Sequence, residues 1–329
     1  MAIQTDAPVL EVKELSKHYA LKSSQALLKA VDHVSLSVRE GETLGIVGES
    51  GSGKSTLAKL MLQLEKPTSG SVLLHGTDLS TVDRKEMRAV KRNIQAVFQD
   101  PYASLNPRMK AKDVVTEPLL VHERLSRKAL EARALALLQE VGLDESHMHR
   151  YPHEFSGGQR QRLSIARAIA LKPEVVICDE PVSALDVSIQ AQILNLLKEL
   201  QKTYRMSYLF IAHGLPAVKY ISDRVAIMYA GQIMEIGSRE TIFTQPRHPY
   251  TYTLLEAVPV SHPSQRKRRL PREAERVDMS HTTPACPFYG RCPNRQDVCA
   301  SVRPELSEHE PGVWYACHHP NTIEKEITS

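Results

Sequence analysis

The feature that most constrains this 329-residue chain is a glycine-rich loop between a short apolar run and a helical segment. Residues 43–47 predict a buried strand, and a helix is expected to begin near Gly53. The loop fits the pattern G-x-x-x-x-G-K-S/T and reads Gly48, Glu49, Ser50, Gly51, Ser52, Gly53, Lys54 and Ser55. Its backbone N–H groups can surround phosphates, and the start of the helix adds partial positive charge. We therefore expect nucleotide binding, with Lys54 on the β- and γ-phosphates and Ser55 on Mg²⁺.

Two carboxylates follow a second apolar run, which extends from Val175 to Cys178. Asp179 and Glu180 would emerge at the carboxyl end of this strand, where open α/β sheets bind their ligands. We expect Asp179 to hold Mg²⁺ directly or through water, and Glu180 to act as the general base on the attacking water. By itself, a strand that ends in two acidic residues is weak evidence for a Mg²⁺-binding hydrolytic site. The glycine-rich loop upstream makes that evidence strong.

Composition is that of a soluble globular protein, with 42% hydrophobic and 24% charged residues. The formal net charge of +4 is too small to imply binding to nucleic acid or to an anionic membrane. We find no run of about 18 uncharged apolar residues that could span a bilayer. The first six residues lack the basic and apolar regions of a secretion signal, so we expect a cytosolic chain.

Strand-like and helical segments alternate along the chain, which predicts an α/β fold with a parallel sheet. Residues 208–211, 224–228 and 232–236 are expected to be strands, and residues 188–201 a helix. The first 40 residues alternate as strands do. Residues 100–159 are helical in character, including an apolar stripe behind a possible N-cap at Ser126.

A second glycine-containing segment, Ser156-Gly157-Gly158-Gln159, precedes a helix expected over residues 162–170. It would form a second anion-binding helix N-terminus. One chain needs only one phosphate cradle for one nucleotide. The second cradle is explained if two chains face each other and each closes on the other's ATP.

On these residues the chain resembles the nucleotide-binding subunits of ATP-binding cassette (ABC) transporters, over about residues 8 to 260. The resemblance implies the following motifs: Walker A at Gly48 to Thr56, the Q-loop glutamine at Gln99, the signature at Ser156 to Gln159, Walker B at Val175 to Glu180, the D-loop at Ser183 to Asp186, the switch histidine at His213 and the adenine-stacking aromatic at Tyr19. Gln99 would also approach Mg²⁺. Two residues depart from the family pattern: Gly214 replaces an aspartate after the histidine, and Phe155 replaces a leucine.

The same resemblance implies a RecA-like parallel sheet core with an antiparallel β subdomain and a helical signature subdomain over about residues 100–160. The expected domains are a nucleotide-binding domain at residues 1–245 and a small, irregular, cysteine-rich extension at residues 246–329.

Two stretches, residues 97–108 and 246–251, are similar to the dipeptide, oligopeptide and nickel branch of ABC importers. That branch implies an ATPase that powers import of peptides, or of nickel or metal chelates, from the cytoplasmic side of the membrane. The implied partners are two transmembrane permease subunits, a second ATP-binding subunit forming a heterodimer, and an extracytoplasmic substrate-binding protein. Nucleic acid is not among them.

Four of the five cysteines lie in the extension, at positions 286, 292, 299 and 317. In a secreted protein they would suggest two disulfides, whereas in a reducing cytosol a metal or cluster site is favoured. Four thiolates suit Zn²⁺ and an iron–sulfur cluster equally, although the wide gaps and the Cys-Pro pairs are unlike zinc knuckles. Because some members of the importer branch carry a 4Fe–4S cluster here, the resemblance favours a cluster at Cys286, Cys292, Cys299 and Cys317, with zinc or free thiols as alternatives. Cys178 is expected to be a core residue.

Two other functions fit part of the pattern. A soluble ABC ATPase of DNA repair or translation would carry a long coiled-coil insertion or two cassettes, and this chain has neither. A metal- or redox-sensing regulator would use the cysteines of the extension as its principal site.

Overall fold

The structure is a computed structural model that describes residues 8–20, 27–257 and 285–321. The strands are β1 (Pro8–Ala20), β2 (Leu27–Arg39), β3 (Thr43–Val47), β4 (Ser69–Leu74), β5 (Thr77–Asp78), β6 (Ile94–Val97), β7 (Val175–Asp179), β8 (Ser207–Ala212), β9 (Arg224–Tyr229), β10 (Gln232–Ser238), β11 (Ser307–Glu310) and β12 (Val313–Tyr315). The helices are α1 (Lys54–Met61), α2 (Arg84–Asn93), α3 (Pro101–Ser104), α4 (Ala111–His122), α5 (Arg127–Glu140), α6 (Gly157–Ile169), α7 (Val187–Tyr204), α8 (Leu215–Ile221), α9 (Arg239–Thr244), α10 (Pro249–Glu256) and α11 (Asp297–Ser301).

The described strands form two sheets. The larger has the order β11-β12-β10-β9-β3-β8-β7-β6, and the smaller is an antiparallel sheet of order β2-β1-β4-β5. Strands β9, β3, β8, β7 and β6 are parallel to one another, so their carboxyl ends lie at one edge of the larger sheet. This edge receives the glycine-rich loop after β3 and the carboxylates at the end of β7. The predicted α/β fold with a parallel sheet is confirmed.

The parallel strands are apolar because both faces of the sheet are covered. Alternate side chains of one strand enter different cores, as the two-residue period of a strand requires. Ile177 packs with the smaller sheet and α1, whereas its neighbours Val176 and Cys178 pack with the helices of residues 101–169. The site edge is therefore fixed between two cores.

Residues 100–159 are largely helical, as predicted, and the predicted N-cap at Ser126 is present. The Ser126 hydroxyl accepts a hydrogen bond from the Ala129 N–H at 3.3 Å, and Ala134, Leu137 and Leu138 of α5 are buried. Helix α6 begins at Gly157, five residues before the predicted start. The apolar pattern starts late because Gly157 to Arg160 are polar or small, and the N-cap at Ser156 sets the true beginning.

The extension is more regular than expected. Strand β12 pairs antiparallel with β10, with Glu235 opposite Tyr315, and β11 pairs with β12. The larger sheet therefore continues into the extension. Periodicity could not predict β11, because its four residues are all exposed and polar. Within the described residues, no helix is long and apolar enough to cross a membrane.

Candidate nucleotide-binding site

The phosphate loop, residues 48–55, follows β3 and leads into α1. Gly51 and Gly53 have φ values of +79° and +103°, which side chains rarely tolerate. The buried Lys54 lies inside the loop and donates from Nζ to the carbonyl oxygens of Gly48 and Glu49, each at 2.9 Å. Burial lowers the pKa of this ammonium, while the charges of Glu180, Asp179 and Glu49 act to raise it. The loop thus presents one fixed positive charge beside its N–H groups.

The two residues expected to bind Mg²⁺ are in contact. Ser55 Oγ donates to Asp179 Oδ1 at 3.2 Å, which joins the start of α1 to the end of β7. Burial raises the pKa of Asp179, and the Ser55 hydrogen bond and the Lys54 charge oppose that rise. A hydroxyl and a carboxylate oxygen are ligands that Mg²⁺ prefers, so this pair fits the ion. Gln99, the third expected ligand, is exposed beyond β6.

Glu180 and His213 form the next part of the edge, after β7 and β8. Glu180 is 4% exposed, and its Oε1 lies 2.5 Å from His213 Nε2. The second oxygen, Oε2, is buried and has no hydrogen-bond partner in the described part of the chain. Glu180 also adopts a left-handed φ of +51°, a strained conformation that is typical of functional sites. Glu180 and His213 both line a cavity of about 200 Å³.

The signature residues, Ser156 to Gln159, lie away from the phosphate loop, and one of them lines a different groove. Ser156 caps α6 by accepting from the Gln159 N–H at 3.3 Å, while Gln159 Oε1 accepts from the Ser156 N–H at 3.0 Å. Gly157 lines a groove of about 240 Å³ together with Gln99 and Leu185. No residue of the phosphate loop lines that groove. The two phosphate cradles therefore do not share one cavity.

The D-loop connects the carboxylates to α7. Ser183 Oγ donates to the Glu180 carbonyl at 3.1 Å, and Asp186 occupies the N-cap position of α7 without a side-chain capping bond. Val187, the first residue of α7, is 82% exposed.

Tyr19 lies at the end of β1. Its hydroxyl hydrogen bonds to Glu65, and the Lys17 ammonium lies 5.2 Å from the ring centroid. Burial and the Glu65 carboxylate raise the pKa of Tyr19 to about 12, and Thr56 of α1 opposes the rise by a hydrogen bond. The ring is thus placed near the helix that follows the phosphate loop.

The comparisons with known proteins agree with this geometry. A family model described as ABC transporter matches residues 31–183, and one described as oligopeptide/dipeptide transporter, C-terminal region, matches residues 234–299. The oligopeptide transport ATP-binding protein AppF of Bacillus subtilis is 44% identical, over 97% of this chain and 99% of AppF. This chain belongs to the ABC transporter family.

Solved structures of ABC proteins resemble it as well. A dimeric structure of the bacterial ABC transporter cassette MJ0796 is 30% identical with a TM-score of 0.64, covering 70% of this chain and 98% of that one. The structure of CbiO1 from Clostridium perfringens, part of the ABC transporter complex CbiONQ, is 28% identical with a TM-score of 0.63 and covers 72% of this chain and 91% of that one. The expected cassette fold is confirmed.

Gly214 follows His213 and stands where the resemblance implies an aspartate. It is the N-cap of α8, has an extended backbone (φ −84°) and provides no side-chain cap. A Cβ atom added there would meet no atom within 4 Å. Nothing in the backbone or the packing therefore requires glycine at this position.

We expect Gly214→Asp to fold normally and to hydrolyse ATP at least as fast as the parent chain, with a gain of up to about threefold. The new carboxylate can cap α8 and hold the His213 loop more firmly. Gly214→Ala is the matched control, because it adds the Cβ without the cap. Steady-state ATPase assays test the expectation, and a loss of activity in both variants would show that the loop needs a glycine.

Sequence reasoning missed a set of residues that join the extension to the cassette. Glu235 of β10 is buried and accepts from the backbone N–H groups of Arg247 at 2.7 Å and His248 at 3.0 Å, and from the Thr251 hydroxyl. Burial raises the pKa of Glu235 to about 7. The Tyr250 hydroxyl accepts from the N–H of Glu49 in the phosphate loop at 3.0 Å. The stretch at residues 246–251 was a signal for these contacts, although not for their partners.

The four cysteines of the extension form no disulfide among the described residues. Burial raises the pKa values of Cys286, to about 11, of Cys317, to about 12, and of Cys292, and their mutual charges add to the rise. Among the residues that the structure describes, no group of three or more His, Cys, Asp or Glu side chains is placed to hold a metal ion. The expected cluster or zinc site is therefore not supported as the side chains lie. Cys178 is fully buried in β7, as expected of a core residue.

Proposed function

We propose that this ABC ATPase is the subunit that powers import of peptides across the cytoplasmic membrane. The observation that carries the proposal is the nearly full-length match to an oligopeptide transport ATP-binding protein, which includes the C-terminal region as well as the cassette. The hydrolytic site would use the contact between Ser55 and Asp179 and the Glu180 oxygen Oε2, which has no hydrogen-bond partner among the described residues. Nickel and metal chelates are the alternative cargo.

In the proposed mechanism the phosphate loop binds the ATP phosphates through its backbone N–H groups, and Lys54 binds the β- and γ-phosphates. Ser55 and Asp179 would hold Mg²⁺, which would neutralise charge that develops on the phosphates. Gln99 lines the signature groove and would complete this ligand set only after moving towards the pair. Glu180 Oε2 accepts the proton of the attacking water. His213 orients the Glu180 carboxylate through Oε1 and contacts the γ-phosphate, and Tyr19 stacks on adenine.

We propose that the working unit contains two cassettes. The support is that no residue of the phosphate loop lines the signature groove, so the two phosphate cradles of one chain are separate. In a facing pair, Ser156 and Gly158 of each chain would bind the γ-phosphate held by the other.

A second, distinct ATP-binding subunit, two permease subunits and an extracytoplasmic binding protein complete the proposed complex. We also retain the division into a cassette at residues 1–245 and an extension at residues 246–329 as a proposal.

The complex can be tested by tagging the chain, solubilising membranes gently under anaerobic conditions and identifying what purifies with it. We expect two permease subunits and a second cassette, and peptide uptake should fail when the chain is deleted. Recovery with ribosomes or DNA, or from the soluble fraction alone, would instead support a mechanical ATPase. Uptake of nickel without uptake of peptides would reassign the cargo.

The four-cysteine cluster stays a prediction of the sequence. Its support is a set of four thiols whose charges influence one another, with backbone N–H groups of Phe288, Asn294 and His319 bonded to three of them. Iron, sulfide and zinc analysis of the anaerobically purified complex tests it. Metal that is lost on Cys292→Ser, but retained on Cys178→Ser, would establish the site. A metal-free complex with full activity would leave free thiols.

A further inference from the structure

An arginine of the extension holds the side chain of a phosphate-loop residue. Arg291 donates from both terminal nitrogens to the two carboxylate oxygens of Glu49, each at 2.8 Å. Glu49 is the second residue of the phosphate loop, 242 positions earlier in the chain. Resting on the nucleotide site proposed above, we propose that Arg291 is a positioning residue for ATP binding: it fixes Glu49 and neutralises its charge beside the triphosphate.

The guanidinium is itself held in place. It lies over the rings of Tyr229 and Phe288, at 5.8 and 5.7 Å from their centroids. Arg291 is 21% exposed and Glu49 32% exposed, so solvent screens the pair only in part. A two-point bond between planar groups defines the carboxylate orientation, which a lysine could not do.

The extension also holds the main chain of Glu49. The Glu49 N–H donates to the Tyr250 hydroxyl at 3.0 Å, and the fully buried Tyr250 ring packs against Tyr229 and Phe288 at centroid distances of 4.6 and 5.3 Å. One aromatic cluster therefore supports both contacts to the loop. The two residues that make these contacts, Tyr250 and Arg291, both lie in the extension, after residue 245.

The charge of Glu49 acts on the atoms that bind phosphate. Its carbonyl accepts from Lys54 Nζ, and its carboxylate charge acts on the same ammonium. An uncompensated carboxylate at this point would repel a triphosphate, because like charges at short range raise the free energy of the bound state. The positive charge of Arg291 removes that repulsion without occupying the loop.

The test measures KM and kcat for ATP in the full chain, together with binding of a fluorescent ATP analogue. Arg291→Ala should raise KM about fivefold and change kcat by less than about twofold, since the hydrolytic groups are untouched. Adding Glu49→Gln to Arg291→Ala should restore KM to within about twofold, because the repelling charge is gone. Arg291→Lys should lie between the parent chain and Arg291→Ala.

Arg303→Ala is the matched control. Arg303 also joins the extension to the cassette, through an ion pair with Asp32 at 2.7 Å, but it does not touch the phosphate loop. If Arg291 merely anchored the extension, Arg303→Ala would raise KM equally and Glu49→Gln would rescue nothing. Either result overturns the inference, and Arg291→Gln replaces the alanine variant if the latter does not fold. A parent chain that binds no ATP would instead overturn the proposed function.

Discussion

Replacement of Glu180 by glutamine is expected to slow ATP hydrolysis at least about 100-fold while ATP binding is retained. Glutamine keeps the shape of the side chain and can still contact His213, but an amide cannot take a proton from water. The atom that loses its function is Oε2, which is buried and unpaired among the described residues. The variant should accumulate as a closed pair of cassettes with ATP trapped between them. Steady-state ATPase assays and size-exclusion chromatography with ATP and Mg²⁺ measure both effects.

Asp179→Asn is the informative comparison, because the two carboxylates are adjacent in sequence and differ in their contacts. Asp179 bonds to Ser55 and is proposed to hold Mg²⁺, so its loss should raise the Mg²⁺ concentration needed for activity. Glu180→Gln should leave that requirement unchanged. A Glu180→Gln variant that hydrolyses ATP within about tenfold of the parent rate would contradict the proposed general base.

The sequence predicted the placement of the candidate site residues where a polar motif directly follows an apolar strand. β3, β7 and β8 are continuous apolar runs, and the polar residues that follow them occupy the same edge of the sheet. Because parallel strands place their carboxyl ends together, Lys54, Asp179, Glu180 and His213 could be assigned to one region without coordinates. Ser55 and Asp179 are separated by 124 positions in the chain, yet they form a hydrogen bond.

The joint between extension and cassette was beyond sequence reasoning for a different reason. Arg291 and Glu49 are single charged residues with no periodicity, and an isolated charge is usually solvated. Their pairing depends on how the aromatic cluster of Tyr229, Tyr250 and Phe288 packs, which is a tertiary property. The strand pairing of β12 with β10 has the same origin, since a three-residue strand carries too little pattern to be recognised.

Gly53→Ala is expected to weaken ATP binding by at least about 30-fold, which corresponds to about 2 kcal/mol. A Cβ atom at Gly53 would lie 2.1 Å from the Ala30 carbonyl oxygen and 2.9 Å from the Met228 Cε atom. The methionine can move, but the carbonyl belongs to the backbone of β2 and cannot. The phosphate loop would have to shift away from β2, and its N–H groups would lose their common direction. The start of α1, with Lys54 and Ser55, would move with it.

Gly51→Ala is the control that distinguishes the steric clash at Gly53 from the strain of placing alanine at a positive φ. Gly51 also has a positive φ, of +79°, but a Cβ atom there would meet nothing within 4 Å. Alanine at this position should cost about 1 kcal/mol of strain, so binding should weaken by no more than about fivefold. Titration of both variants with a fluorescent ATP analogue, alongside thermal unfolding, distinguishes a displaced loop from a less stable protein. Equal losses in the two variants would mean that backbone conformation, rather than the packing of the loop against β2, sets the geometry of phosphate binding.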